Sequence, residues 1–146
     1  SISSIALQPR IMPVSPAFAI KKCLDDTELT MENINYIEIN EAFACVPLVA
    51  LKLLSNQRFL DEDYKAMVDE VSEQPVLDND DTEYQRLKTI LNPNGSAIAT
   101  GHPNTATGAR IMMTAAYHLK ENGGGYAACA ICGGLTQGAG AIIWVE

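Results

Sequence analysis

The sequence predicts a layered α/β domain built on a mixed β-sheet. Two observations carry this reading. Short strand-like runs alternate with longer helix-like stretches, in the order strand, helix, strand, helix, a polar stretch, a connector, helix, strand, strand. Alternation of that kind builds a sheet covered by helices. The last two strands are separated by only a Gly-rich turn, which makes them an antiparallel pair beside helix-linked neighbours. At 146 residues the chain is long enough for one domain with a real core.

The elements follow in order. "SISSIAL" opens the chain as a strand that looks clipped. In "SPAFAIKKCLDD", Ser15 can cap a helix and Pro16 suits its first position, with Phe18, Cys23 and Leu24 on its apolar side. "NINYIEI", 33–39, is short and β-branched, with Ile34, Ile37 and Ile39 in an imperfect period, and reads as a strand. "EAFACVPLVALKLL", 41–54, reads as a mostly buried helix with Pro47 a blemish in its first two turns. "DEDYKAMVDEVSE" and "DTEYQRLKTIL" are polar and helical, joined by the turn-rich "QPVLDNDD". "ATGARIMMTAAYHLKEN", 106–122, is a strong helix that the glycines at 123–125 stop. "YAACAIC", 126–132, and "GAIIWV", 140–145, close the sheet. The chain is read as one domain, 1–146, with 55–91 an exposed acidic helical insertion within it.

Composition narrows the function. Hydrophobic residues make up 47% and charged residues 19%, an ordinary soluble balance. No apolar run has the length of a membrane span, and "SISSIALQPR" lacks a signal-peptide pattern, so a cytoplasmic home is expected. The net charge of −8 argues against nucleic acid as partner. Much of that charge is local: residues 55–91 hold ten acidic residues against four basic ones. The four cysteines, Cys23, Cys45, Cys129 and Cys132, are expected as buried free thiols or a reactive one rather than disulfides.

Three stretches can carry chemistry. In "INEAFA", Asn40 and Glu41 fall where a strand hands over to a helix, at the sheet edge where α/β proteins place their sites. Taken in isolation, Asn40 reads first as a plain helix cap. In "TGHPNTATGAR", His102 sits on a turn shaped by Gly101 and Pro103, just ahead of a helix N-terminus that favours anionic charge. A neutral imidazole there can donate to a developing oxyanion, or can be a satisfied turn histidine. In "CAICGGLTQGAG", Cys129 and Cys132 form a C-x-x-C with no second ligand pair, so no metal site is expected. Residues three apart on a strand face opposite sides, so the two thiols diverge. Cys132 precedes Gly133 and Gly134, whose backbone a substrate can approach and whose N–H groups can act as donors. It is read as an acid/base or a small core residue before a turn, and Cys129 as a core residue.

Together "NEAFA", "GHP" followed by "ATGAR", and a C-x-G ahead of "QG" resemble the thiolase family, in the family's order. "IMPVSPAFAI" and "GGGYAACAICGGLTQGAGAIIWVE" extend the resemblance over nearly the whole chain outside the acidic insertion. The resemblance implies a thiolase-like domain with a five-stranded mixed sheet and helices on both faces. It implies acyl transfer between coenzyme A thioesters with carbon–carbon bond formation or cleavage, of the acetoacetyl-CoA to two acetyl-CoA type, with no cofactor beyond those substrates. Asn40 would hold a water that shapes one oxyanion hole, and His102 would donate to the same hole. Cys132 would be the acid/base for the α-proton, and Gly134 would offer its N–H to a second hole. Gly133, Gly134 and Phe43 would line the substrate.

The chain also departs from the family. Its nucleophilic cysteine belongs to an N-terminal half that nothing here resembles, and neither Cys23 nor Cys45 lies in a matching motif. The chain thus looks like a C-terminal half: a fragment or one subunit of a split enzyme, needing a partner half and forming a homo-oligomer. Asn104 and Thr105 stand where the family commonly has an apolar residue and a glycine. Two other classes compete: a non-catalytic acyl-CoA or lipid-binding relative, and a structural subunit of a split thiolase complex. A ketoacyl synthase fits less well, because the second cysteine is the thiolase mark.

Overall fold

Strand β3, Gly125–Gly133, is the centre of the molecule, and its sequence suits it to that place. Ala127, Ala128, Cys129 and Ala130 are all buried, and side chains this small let helices come close on either face. The computed structural model describes residues 1–62, 66–69 and 81–146. Among them the sheet has four strands: β1 (Ile2–Ala6), β2 (Ile34–Ile39), β3 and β4 (Gln137–Val145). They lie in the order β1-β4-β3-β2. β4 runs antiparallel to both β1 and β3, and β2 runs parallel to β3. The sheet is mixed as expected, with four strands rather than five.

Helices cover both faces. On one side lie α1 (Ser15–Asp25) and α2 (Cys45–Leu54). With the sheet they enclose the larger core, which includes Phe18, Ile20, Ile37, Ile39, Val46 and Leu54. On the other side α6 (Thr107–Glu121) packs Ile111, Ala115 and Leu119 onto Tyr36, Ala127 and Cys129. Helix α1 approaches β4 at glycine: a Cβ on Gly138 would lie 2.7 Å from the Ser15 carbonyl oxygen, and one on Gly140 would lie 2.9 Å from that of Ala19. Any side chain at either position would push the helix off the sheet.

Two local expectations change. Ser15 does not cap α1. It is the helix's first residue, and its hydroxyl donates to the Gln137 carbonyl at 3.1 Å, stapling α1 to β4. Helix α2 begins only at Cys45, so Pro47 falls in its first turn, where the missing N–H has no helical partner to lose.

The described parts of the acidic segment are helical, as expected, and a few of their residues reach the core. They include α3 (Gln57–Asp61), a helical stretch at 66–69, and α4 (Asp81–Ile90). Phe59, Met67 and Leu87 are fully buried in the larger core. Phe59 meets Phe18 edge-on at 5.0 Å, a pair worth about 0.5–1.5 kcal/mol beyond its burial. Arg86 pairs with Glu83 and donates to the carbonyls of Met31 and Ile34, pinning α4 to the start of β2. The segment also touches the sheet, since Leu91 bridges to Ile37. In the described parts, Asp61, Asp69 and Asp81 are exposed while Phe59, Met67 and Leu87 face inward. The expectation for 63–65 and 70–80 lies outside the described residues.

Candidate active site

Parallel strands end together, and this decides where the motif residues go. β2 and β3 are parallel, so Asn40, just past β2, and Cys132, near the end of β3, share one end of the sheet. Helix α6 leads through the Gly123–Gly125 turn straight into β3 and so runs back along it. Its N-terminus, with His102 on the turn before it, reaches the same end.

Asn40 extends the β2–β3 pairing by one residue, its N–H donating to the Ala130 carbonyl at 2.9 Å. Its side chain is 1% exposed. The helix-cap reading fails, because α2 starts five residues later with Ala44 as its cap. Glu41 next to it is held at both oxygens: Oε1 accepts from Asn92 Nδ2 at 3.3 Å, and Oε2 accepts from the Ile98 N–H at 3.0 Å. Phe43 projects into solvent, 59% exposed.

His102 follows α5 (Ala97–Thr100). Gly101 makes the break at φ +84°, a conformation that side chains rarely adopt. His102 is exposed, with Nδ1 2.7 Å from the hydroxyl of fully buried Thr107. That contact fixes the ring, and among the described residues no hydrogen bond engages Nε2. Arg110, one turn into α6, donates to the Gly101 carbonyl and braces the turn from below.

Cys132 is half-buried and sits opposite Gly138 of β4. Burial pushes its thiol pKa up, a backbone hydrogen bond at Cys132 itself opposes this, and nearby Cys45 adds a smaller rise. Cys129 faces the α6 side instead, fully enclosed, with its thiol pushed up to about 12 by burial and then by Glu38. The two thiols diverge as the strand period requires, and Cys129 is inert at neutral pH. Cys132 packs against the α1–α2 side, whereas His102 arrives from the α6 side. Among the described residues no hydrogen bond joins them.

The loop after Cys132 is open at Gly134, where an added Cβ would meet nothing within 4 Å, while one at Gly133 would make ordinary contact with Gln137. Leu135 and Thr136 then both take left-handed backbone, at φ 57° and 62°. Leu135 is 81% exposed and Thr136 fully buried.

Four buried side-chain atoms have no hydrogen-bond partner among the described residues: Asn40 Oδ1, Ser96 Oγ, Arg110 Nη2 and Thr136 Oγ1. All four belong to the segments that form this one end of the sheet. Ser96 lies near enough to Glu38 to ease its charge, yet outside hydrogen-bonding geometry. Buried polar atoms are rarely left unpaired without cause. By contrast, the pocket of about 340 Å³ lined by Lys21, Met31, Leu54 and Glu83 lies beside the start of β2, away from all three motif residues.

The motif residues were legible in sequence, but their supports were not. Asn92 is the clearest case. It takes φ +46°, donates its N–H to the Ile37 carbonyl at 2.8 Å, and uses its side-chain amide to bond both the N–H and carbonyl of Ile39, at 2.8 and 2.9 Å. The turn signal "NPNG" marked the place without showing this role. Beneath α6, Tyr36 donates to fully buried Glu38 at 2.5 Å and lies against His118 at 4.4 Å. Burial raises the Glu38 carboxyl pKa, with Tyr36 and Arg110 opposing. Burial, then Glu38, raises that of the Tyr36 phenol.

Residues 1–145 match the family described as thiolase, C-terminal domain. A β-ketoadipyl-CoA thiolase of Acinetobacter baylyi is 38% identical over 141 residues, 97% of this chain but 28% of that protein. The peroxisomal 3-ketoacyl-CoA thiolase of Yarrowia lipolytica is 31% identical over 98% of this chain and 27% of its own length. Among solved structures, the peroxisomal 3-ketoacyl-CoA thiolase of Saccharomyces cerevisiae superposes with a TM-score of 0.71 at 32% identity, over 100% of this chain and 33% of that one. A thiolase of Ascaris suum in complex with coenzyme A gives 0.68 at 27% identity, over 97% and 29%. The chain therefore spans no more than about a third of the relatives it matches.

Proposed function

The chain belongs to the thiolase family, as its C-terminal domain, and from that premise we propose that it supplies the acid/base and oxyanion-stabilising groups of an enzyme that makes or cleaves 3-ketoacyl-CoA. The observation that supports this reading is the topology: Asn40 follows β2 and Cys132 lies near the end of the parallel strand β3, while His102 precedes the helix that runs back along β3, and the buried Asn40 Oδ1 has no partner among the described residues.

The chemistry divides between two halves. A cysteine of an N-terminal half carries the acyl group as a thioester. Cys132 as thiolate takes the α-proton of acetyl-CoA, and the enolate carbon attacks the acyl carbonyl. The carbon–carbon bond forms as the carbon–sulfur bond breaks, and the other cysteine leaves as thiolate. In cleavage, Cys132 as thiol returns the proton. The negative oxygen needs donors that do not have to reorganise. His102 Nε2 supplies one and a water held by Asn40 another, while the Gly134 N–H serves the second hole. Phe43, Gly133 and Gly134 border the acyl-CoA. Burial, with a smaller rise from Cys45, pushes the Cys132 thiol pKa up, so the completed site must favour its thiolate.

An N-terminal half would have a surface to meet. Met113 and Tyr117 are exposed on the outer side of α6. This chain supplies three layers, helix, sheet and helix, and the Saccharomyces enzyme is described as five-layered, built from two core domains of identical topology. Helix α6 would then lie inside the assembled molecule. A homo-oligomer of such assemblies completes the proposal. Among the described residues no helix is long and apolar enough to cross a membrane.

The test uses the chain alone and then combined with an N-terminal half bearing the nucleophile. Alone, it should not cleave acetoacetyl-CoA, since covalent acyl transfer lacks its nucleophile. In the assembly, Cys132→Ala should abolish condensation while acylation of the other cysteine persists. The same loss from Cys129→Ala instead would show that the assigned thiol is wrong.

A further inference from the structure

The two loops that carry Asn40 and His102 are joined by the side chain of Glu41. Glu41, adjacent to Asn40, accepts the Ile98 N–H at 3.0 Å through Oε2. Ile98 is the second residue of α5, the one-turn helix that ends at Gly101. Through Oε1 the same carboxylate accepts from Asn92 Nδ2 at 3.3 Å. Asn92 is itself clamped to the end of β2 by three further bonds of 2.8 to 2.9 Å, to Ile37 and Ile39. One end of the link is therefore fixed to the rigid sheet and the other to the turn that presents His102. We propose that Glu41 is a positioning residue: it transmits the register of the β2 end to the His102 turn and so sets the spacing between the Asn40 amide and the His102 ring.

Three features support a positioning role over a merely local one. The α5 helix is only four residues long, so its own hydrogen bonds cannot hold it in place. Ile98 is 66% exposed and provides no apolar anchor. A carboxylate accepting from a backbone N–H makes a charge-assisted bond, stronger than the neutral one an amide could make. Arg110 holds the far side of the turn at Gly101, so the segment is braced at both ends, and the Glu41 brace is the one that reaches the Asn40 loop among the described residues. Oxyanion donors act through placement, and an error of about 1 Å is enough to lose on the order of a hundredfold in rate.

The inference rests on the roles proposed for Asn40 and His102, but its first test does not. Amide hydrogen exchange is followed by NMR in the 146-residue chain and in Glu41→Gln. The Ile98 and Gly101 amides should exchange about tenfold faster or more in the variant, while those of Asn40 and of β3 keep their rates, as expected for local opening. Unchanged protection at Ile98 would overturn the proposal. So would uniform acceleration throughout the sheet or failure of the variant to fold, because a brace between two loops leaves the core intact. In the assembled enzyme Glu41→Gln should lower kcat by about tenfold or more with KM for the acyl-CoA within about twofold; a change confined to KM would also overturn it. Turnover unaffected by His102→Ala, alongside a loosened Ile98 amide in Glu41→Gln, would instead remove the functional reading and leave the brace standing.

Discussion

At the scale of single residues, the sequence displayed the groups that meet substrate in the proposed mechanism and hid those that hold them. Asn40, His102 and Cys132 stood in recognisable motifs. Glu41, Asn92 and Thr107 did not stand out, because a hydrogen bond across a fold leaves no local pattern. Thr136 shows the same limit. A β-branched residue at φ 62°, with its buried hydroxyl unpaired, bears both backbone strain and a desolvation cost. Thr136→Gly should therefore raise stability by about 1 kcal/mol in urea unfolding, after allowing for the freer unfolded chain. A loss of stability would show that the side chain contributes more by packing than the strained backbone costs. Glu38 gives a pH dependence. Its carboxyl pKa in the fold lies above the ordinary glutamate value of 4.5, mainly through burial. The folded state thus binds this proton more tightly than the unfolded chain. Stability from this group is fully present below 4.5 and is lost as pH rises through the raised folded value. Glu38→Gln keeps an acceptor for the Tyr36 hydroxyl and cannot ionise. Its melting temperature should gain on the parent as pH climbs above 4.5. A gap that is the same at every pH would rule this out.

At the scale of elements, strands and long helices were legible because their apolar residues are dense and periodic. The boundaries at 33–39 and 106–122 lie within two residues of β2 and α6. The acidic segment misled because charge is counted over all residues, whereas burial is decided by a few. One fully buried apolar residue per helix, Phe59 in α3 and Leu87 in α4, is enough to seat a polar helix on the core. Phe59→Ala should accordingly cost about 3–5 kcal/mol, as for an aromatic deep in a core, rather than the small change of a surface site. Denaturant unfolding measures this, and a loss below about 1 kcal/mol would restore the appendage view. The start of α2 was misplaced for a similar reason. "EAFA" has helical composition, but Asn40 must finish the sheet and Glu41 must reach Asn92 and Ile98 before the chain can coil.

At the scale of the whole molecule, the layered α/β class followed from the order of elements, and the parallel β2–β3 pair gave the site its location. Strand order could not be read in the same way, since β1 and β4 come from opposite ends of the chain. Nor could the count of strands, which the structure sets at four among the described residues.

The Asn92 clamp has a consequence for how molecules of this protein meet. β2 is the outermost strand on its side of the sheet. The N–H and carbonyl of Ile39, which a foreign strand would need, are already taken by the Asn92 side chain, and the Ile37 carbonyl by its backbone. An edge occupied by its own chain cannot template another. The opposite margin, β1, carries alternating exposed residues and no further strand among those described. Around Ile37 and Ile39 the β2 edge is thus closed to strand addition by the chain's own Asn92.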